Sequence, residues 1–159
     1  MIEVMMATAI IGIGVTAIFT AIRSGTQVNA AGRDLTQAAF LVQEIREWTL
    51  KLPFSDPDAA DAANPPGPDG TDPQTFVDDL DDLMNVTFGP PNPPRDGNGV
   101  AIANLAGWSQ HIQLDWKNPD SLQTTVASGA SDVIRVTVTI ARNGETILSS
   151  GWLVTRRLP

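Results

Sequence analysis

Hydrophobic and polar positions change their spacing along this chain, and each spacing predicts a different element. From Val4 to Ile22 nineteen residues run without a charge. A helix of that length rises about 28 Å, close to the ~30 Å hydrocarbon thickness of a bilayer. A cleavable signal peptide would open with a basic region and close at a small-residue cleavage site. Here the start is acidic, through Glu3, and the helical pattern continues past Ile22. The rest of the chain is too small to wrap such a helix in a core, so the run reads as a membrane-spanning helix. From Val28 the apolar positions thin to a seam. Val28, Ala31, Leu35, Ala38, Val42, Ile45, Thr49 and Leu52 alternate steps of three and four, the mark of an amphipathic helix. Pro53 closes the pattern, because the residue before a proline is pushed out of the helical region. Residues 2–52 are thus predicted as one helix of roughly 76 Å. Its first part, 1–22, is membrane-spanning, and 23–52 is an amphipathic stalk.

Prolines and aspartates break the periodicity over 53–72, which predicts a surface loop. Thr71-Asp72-Pro73 then offers a cap and a first-turn proline for a helix over about 73–85, with Phe76, Val77, Leu80, Leu83 and Met84 as its apolar face. A second breaker, GPPNPPRDGNG, covers 89–99. After it the period falls to two. Trp108, Gln110, Ile112, Leu114 and Trp116 share one side of a strand, and Ile134, Val136, Val138 and Ile140 share the core-facing side of DVIRVTVTIAR. Asn143-Gly144 is a strong hairpin signal leading into ETILSSGWLVTRR. The expected fold class is α+β, a stalk with a head. Its long N-terminal helical stalk packs, in its upper part, against a globular head of residues 53–159. That head is expected to hold a small antiparallel sheet of three or four strands over about 108–157.

Charge and composition narrow the function. The net charge is −8 and the pI about 4.4. Nucleic acid is not an expected partner, because neutralising phosphates needs clustered Lys and Arg, and only Arg156 and Arg157 are adjacent. Cysteine is absent, which removes disulfides, thiolate metal sites and thiol catalysis.

Within the apolar run, Gly12-Ile13-Gly14-Val15-Thr16-Ala17 fits the G-x-G-x-x-A dinucleotide pattern, with Asp34 twenty residues after Gly14. No strand and turn precede it and no alternating βαβ pattern follows, so the small residues read as helix-packing positions instead. Thr8, Gly12, Thr16 and Thr20 recur every four residues, as do Ala17, Ala21 and Gly25. Such small-xxx-small rows let neighbouring helices approach closely. Gly12 and Gly14 are also points where the helix can stretch. Glu3 is costly near hydrocarbon. Its own α-amino group is too strained a partner within a straight helix, whereas the amine of a neighbouring subunit is well placed.

Met1-Ile2-Glu3-Val4-Met5-Met6-Ala7-Thr8-Ala9 resembles the mature N-terminus of type IV pilins and type II secretion pseudopilins. The resemblance is specific over residues 2 to about 25 and extends compatibly to 52. It implies a structural subunit of a pilus-like extracellular filament, not an enzyme, that assembles through its apolar helix. It further implies removal of a basic leader by a prepilin peptidase, N-methylation of the first mature residue, residence in the cytoplasmic membrane before assembly, and handling by pilus assembly machinery. The product is a homo-oligomeric extracellular filament or a periplasmic pseudopilus. Glu3 would pair with the N-terminal amine of a neighbour, that of Met1 if Met1 is the mature terminus, and Thr8, Gly12, Gly14, Thr16, Ala17 and Ala21 would pack between helices. Glu3 stands two positions earlier than the family's glutamate, so the sequence is expected to begin two residues inside the mature protein. The family's helix proline (Thr20 stands at its place) and C-terminal disulfide loop are both missing. Two alternatives are a minor pseudopilin of a secretion system and a membrane-anchored binding module that never polymerises.

Further candidate chemistry is sparse. Asp56, Asp58, Asp61, Asp69, Asp72, Asp78, Asp79, Asp81 and Asp82 lie between Lys51 and Arg95 with no base among them. Their hard oxygens suit calcium, with Asp69 and Asp72 the leading pair, although the spacing fits no EF-hand and Pro-broken acidic loops are usually solvated. No other cofactor is expected. His111, the single histidine, is expected on a strand face opposite Ile112 and Leu114, with no nucleophilic serine motif to serve. Trp48, Trp108, Trp116 and Trp152, in a chain without tyrosine, read as core and interface anchors.

Overall fold

The computed structural model describes residues 1–56, 65–73 and 75–156. Pro57, Asp58 and Asp61 of the acidic loop, and Arg157, lie outside the described residues. The fold is α+β. Helix α1 spans Ile2–Lys51, a 3-10 turn spans Asp81–Leu83, and five strands follow: β1 (Thr87–Phe88), β2 (Trp108–Asn118), β3 (Ser121–Thr125), β4 (Val133–Arg142) and β5 (Glu145–Thr155). The chain divides into two units, Met1–Gln37 and Ala38–Pro159.

The first unit is helix alone. Its threonine hydroxyls bond back to their own helix: Thr8 Oγ1 donates to the Val4 carbonyl (2.6 Å), Thr16 to Gly12 (2.6 Å) and Thr20 to Thr16 (2.9 Å). This satisfies each hydroxyl without water, as an apolar setting requires.

In the second unit the last turns of α1 lie on a five-stranded antiparallel sheet, so the expected three or four strands are exceeded by the short β1 and β3. The order is β1-β2-β4-β5, and β3 also pairs with β2. Register places Ile112 opposite Val138 and Leu114 opposite Val136. The period-two reading is met: Trp108, Gln110, Ile112, Leu114 and Trp116 are buried, and so are Ile134, Val136, Val138 and Ile140. Against them α1 buries Ala38, Leu41, Val42, Ile45 and Trp48. Each fully buried aliphatic side chain contributes roughly 1.5–3 kcal/mol, so this layer dominates the unit's stability. Trp48 and Phe88 meet at 5.7 Å between ring centroids, tilted by 47°, a favourable aromatic geometry. Asn143 (φ 51°) and Gly144 (φ 83°) make the hairpin turn between β4 and β5 with two consecutive left-handed residues, as an Asn-Gly turn requires.

Only the later half of the predicted seam is covered. Ala38, Val42, Ile45 and Thr49 are buried, whereas Val28 and Leu35 are exposed.

The helix expected over 73–85 does not form. Asp72-Pro73 opens a turn instead, in which the Thr75 N–H donates to the Asp72 carbonyl at 3.0 Å. Further on, aspartate side chains take the backbone donors that a helix would use. Asp79 Oδ1 accepts from the N–H groups of Asp81 (2.9 Å) and Asp82 (3.1 Å), and Asp82 Oδ2 accepts from Asp78 (2.9 Å). Aspartate competes with the helix ladder in this way, and here the competition wins. Leu80 and Leu83 still reach the core, from a turn rather than a helix face.

Candidate assembly surface on the N-terminal helix

Helix α1 contains a stretch long and apolar enough to cross a membrane, with mean hydropathy 2.1 over eighteen residues, none of them buried. The large apolar side chains from Ile2 to Ile22 are 46% to 73% exposed. At 100° per residue, positions 2, 4, 5, 6, 10, 11, 13, 15, 18, 19 and 22 cover every side of the helix. A helix apolar all round belongs inside a bundle or a membrane, not in water. Patches of this kind mark protein or membrane contact.

The predicted packing positions Thr8, Gly12, Gly14, Thr16, Ala17 and Ala21 are all exposed on this helix. A methyl group built on Gly12 or Gly14 would meet nothing within 4 Å. Each glycine costs about 1 kcal/mol in a helix relative to alanine, and nothing among the described residues requires it. Glu3 is exposed in the first turn and makes no ion pair or hydrogen bond among the described residues. The Met1 carbonyl accepts from the Met5 N–H at 3.3 Å, so the helical ladder reaches the first residue. The surface is therefore an acidic side chain at the mouth of an apolar cylinder without charged residues.

The acidic region of the second unit has a different chemistry. Asp69 and Asp72 join no third residue in a metal-holding group among the described residues. The nearby carboxylates are engaged internally: Asp81 Oδ2 accepts from Gly67 N–H (2.9 Å) and Asp82 Oδ1 from Asp69 N–H (3.0 Å). They tie the loop into place. Asp79 and Asp82 are buried at 3% and 1% exposure. Burial, with Asp81 and Asp82 adding to it, raises the Asp79 carboxyl to about 7. A cavity of about 370 Å³ beside this loop is lined by Phe54, Asp56, Asp69, Asp81, Trp116 and Arg156 among others.

His111 sits on β2 opposite Thr87 of β1, with Nδ1 2.9 Å from Thr87 Oγ1. Its contact is a cross-strand hydrogen bond. Trp48, Trp108 and Trp116 are core residues, and the half-buried Trp152 donates from Nε1 to Thr49 Oγ1 at 3.2 Å.

One polar cluster escaped the sequence reading. Gln110 is fully buried, accepts the Arg95 N–H at Oε1 (2.7 Å), and donates from Nε2 to the carbonyls of Leu41 (3.2 Å) and Arg95 (3.0 Å). Lys51 Nζ donates to the Gly97 carbonyl (2.7 Å), and Glu44 Oε2 accepts the Gly97 N–H (2.6 Å). The 95–99 loop is thereby riveted to the end of α1. Arg95 lies over the Phe88 ring at 5.2 Å, and burial lowers its pKa. The available signal was a single glutamine among Trp108, Ile112, Leu114 and Trp116 on a core face.

No protein-family model matches the chain, and no curated protein or solved structure matches it either.

Proposed function

We propose that this chain is the structural subunit of a type IV pilus-like extracellular filament. It resides in the cytoplasmic membrane before assembly and polymerises through the apolar part of α1. The observation that carries the reading is the all-round exposure of the apolar side chains from Ile2 to Ile22, with Glu3 unpaired at their start. Lipid covers that cylinder before assembly. Copies of the same helix cover it afterwards, packed through the Thr8, Gly12, Thr16 and Ala17, Ala21 rows, where small residues permit close approach. Van der Waals contact then replaces lipid contact with little change in hydrophobic free energy. Glu3 therefore supplies direction: inside the bundle it gains the N-terminal amine of a neighbour, an ion pair strengthened by the low surrounding dielectric.

Glu3→Ala tests this. Cells carrying the variant should hold normal amounts of the protein in the membrane fraction and show no filaments by electron microscopy of sheared surface material. Filaments of ordinary number and length from the variant would refute the proposed role of the glutamate. Native protein found only as a bilayer-embedded monomer would refute the filament.

A further inference from the structure

We infer that Asn85 is the acceptor of an N-linked glycan, attached on the surface of the second unit beside a small cavity that seats the first sugar. The inference rests on the placement of the second unit outside the cytoplasm, as proposed above, and adds a modification site to it.

Asn85-Val86-Thr87 is the one Asn-x-Ser/Thr triplet in the chain, and its middle residue is not proline. N-glycosylation requires that pattern, on a surface turn of a protein that leaves the cytoplasm. The structure supplies the turn. Asn85 and Thr87 are both exposed, while Val86 between them is 6% exposed and anchors the segment in the core. Asn85 follows the 3-10 turn Asp81–Leu83 and takes φ 60°, in the left-handed region that asparagine tolerates better than most residues. Its side-chain amide makes no hydrogen bond among the described residues, so the nucleophilic nitrogen is not tied down. Thr87 belongs to β1, which pairs with β2 over two residues only. An enzyme gripping the triplet has few bonds to open there: the β1 pairing, the Thr87 hydroxyl to His111 Nδ1 at 2.9 Å, and the Val86 carbonyl accepting the Ile112 N–H at 2.8 Å.

The cavity beside the turn is the second observation. It holds about 230 Å³ and is lined by Thr71, Pro73, Phe76, Met84, Asn85 and Thr87 among others. Phe76 and Met84 pack on the core and stay partly exposed. A sugar ring has an apolar, C–H-bearing face and a rim of hydroxyls. Seated here, its apolar face takes the exposed part of Phe76 and Met84 out of water, and its rim meets the hydroxyls of Thr71 and Thr87.

The co-reactant is a sugar carried on a polyprenyl pyrophosphate, brought by a membrane glycosyltransferase. A bond forms between the Asn85 amide nitrogen and the anomeric carbon. The bond from that carbon to the pyrophosphate oxygen breaks, the lipid pyrophosphate leaves with the electron pair, and one amide proton passes to a base of the transferring enzyme.

The full chain, purified in detergent from the cells that make it, would be weighed intact and mapped by mass spectrometry. Trypsin releases Leu52 to Arg95 as one peptide, because no Lys or Arg lies between Lys51 and Arg95. The expected result is added sugar mass on that peptide. Asn85→Asp, which keeps the left-handed turn, and Thr87→Ala should each lose the added mass, and Thr87→Ser should retain it. Externally added protease on spheroplasts reports where the second unit lies. An unmodified parent peptide with the second unit open to the protease would overturn the glycan and leave the outward placement standing. Added mass that survives in both Asn85→Asp and Thr87→Ala would also overturn it, by placing the modification elsewhere. If either variant fails to accumulate, the parent peptide still decides, by whether fragmentation puts the sugar on Asn85. A second unit protected inside spheroplasts would overturn both the glycan and the placement.

Discussion

Replacing Gln110 by leucine removes a fully buried polar side chain that joins the sheet, the 95–99 loop and α1. Leucine is close in volume, so the cavity contribution is small and the hydrogen-bond contribution is isolated. Three bonds are lost. The Arg95 N–H and Arg95 carbonyl are left without their glutamine partner inside the protein, and a buried backbone group without a partner costs about 1–3 kcal/mol. The Leu41 carbonyl loses only a second bond, since it also belongs to the helix ladder. Better apolar contact from the new side chain offsets part of the loss. The expected net destabilisation is roughly 2–4 kcal/mol, or a melting midpoint lower by about 6–15 °C in a domain of this size. Urea unfolding of the detergent-solubilised chain, followed by tryptophan fluorescence, measures it, because Trp48 and Trp108 lie in the same core. Gln113→Leu, on the exposed face of the same strand, is the control and should stay within about 0.5 kcal/mol of the parent. Equal midpoints for Gln110→Leu and the parent would refute the view that the rivet supports this core.

Asp79→Asn should flatten the pH dependence of stability. Because burial raises the folded-state carboxyl from 3.8 to about 7, its contribution is fully present below pH 4 and is lost as the pH climbs to about 7. The total is at most about 4 kcal/mol. Urea midpoints at pH 4 and pH 7.5 should therefore differ more for the parent than for the variant, and parallel behaviour would contradict the assignment. Ile45→Ala and Leu35→Ala test the split in the predicted seam. Ile45 is fully buried, so its truncation should cost about 2–5 kcal/mol. Leu35, 51% exposed, should cost under about 0.5 kcal/mol in the same detergent assay; a Leu35 loss as large as that of Ile45 would place a partner on the seam already in the monomer.

Much of the fold was legible in order of residues because one-dimensional spacing maps directly onto local geometry. The three-and-four steps through Ala38, Val42, Ile45 and Thr49 name a helix face, and the alternation from Ile134 to Ile140 names a sheet face. Asn143-Gly144 names its own turn. The apolar cylinder was readable for the same reason, being a property of consecutive residues. The failed helix over 73–85 was less accessible. Its apolar spacing was correct, but whether an aspartate faces water or caps a neighbouring N–H depends on what surrounds it. Asp79 and Asp82 are buried in the folded chain, and there the backbone donors are the partners nearest to hand.

The sequence alone determined the apolar helix with Glu3 at its mouth, the alternating strands, the Asn-Gly turn and the acidic, cysteine-free composition. Each is a matter of neighbours within a few residues. Tertiary structure decided where the covered part of the seam begins, which flank of β2 each strand takes, the place of β5 at the end of the strand order, and the joining of Gln110 to Leu41 and Arg95. Those features pair groups far apart in the chain, whose meeting depends on how the last turns of α1 and the sheet exclude water together.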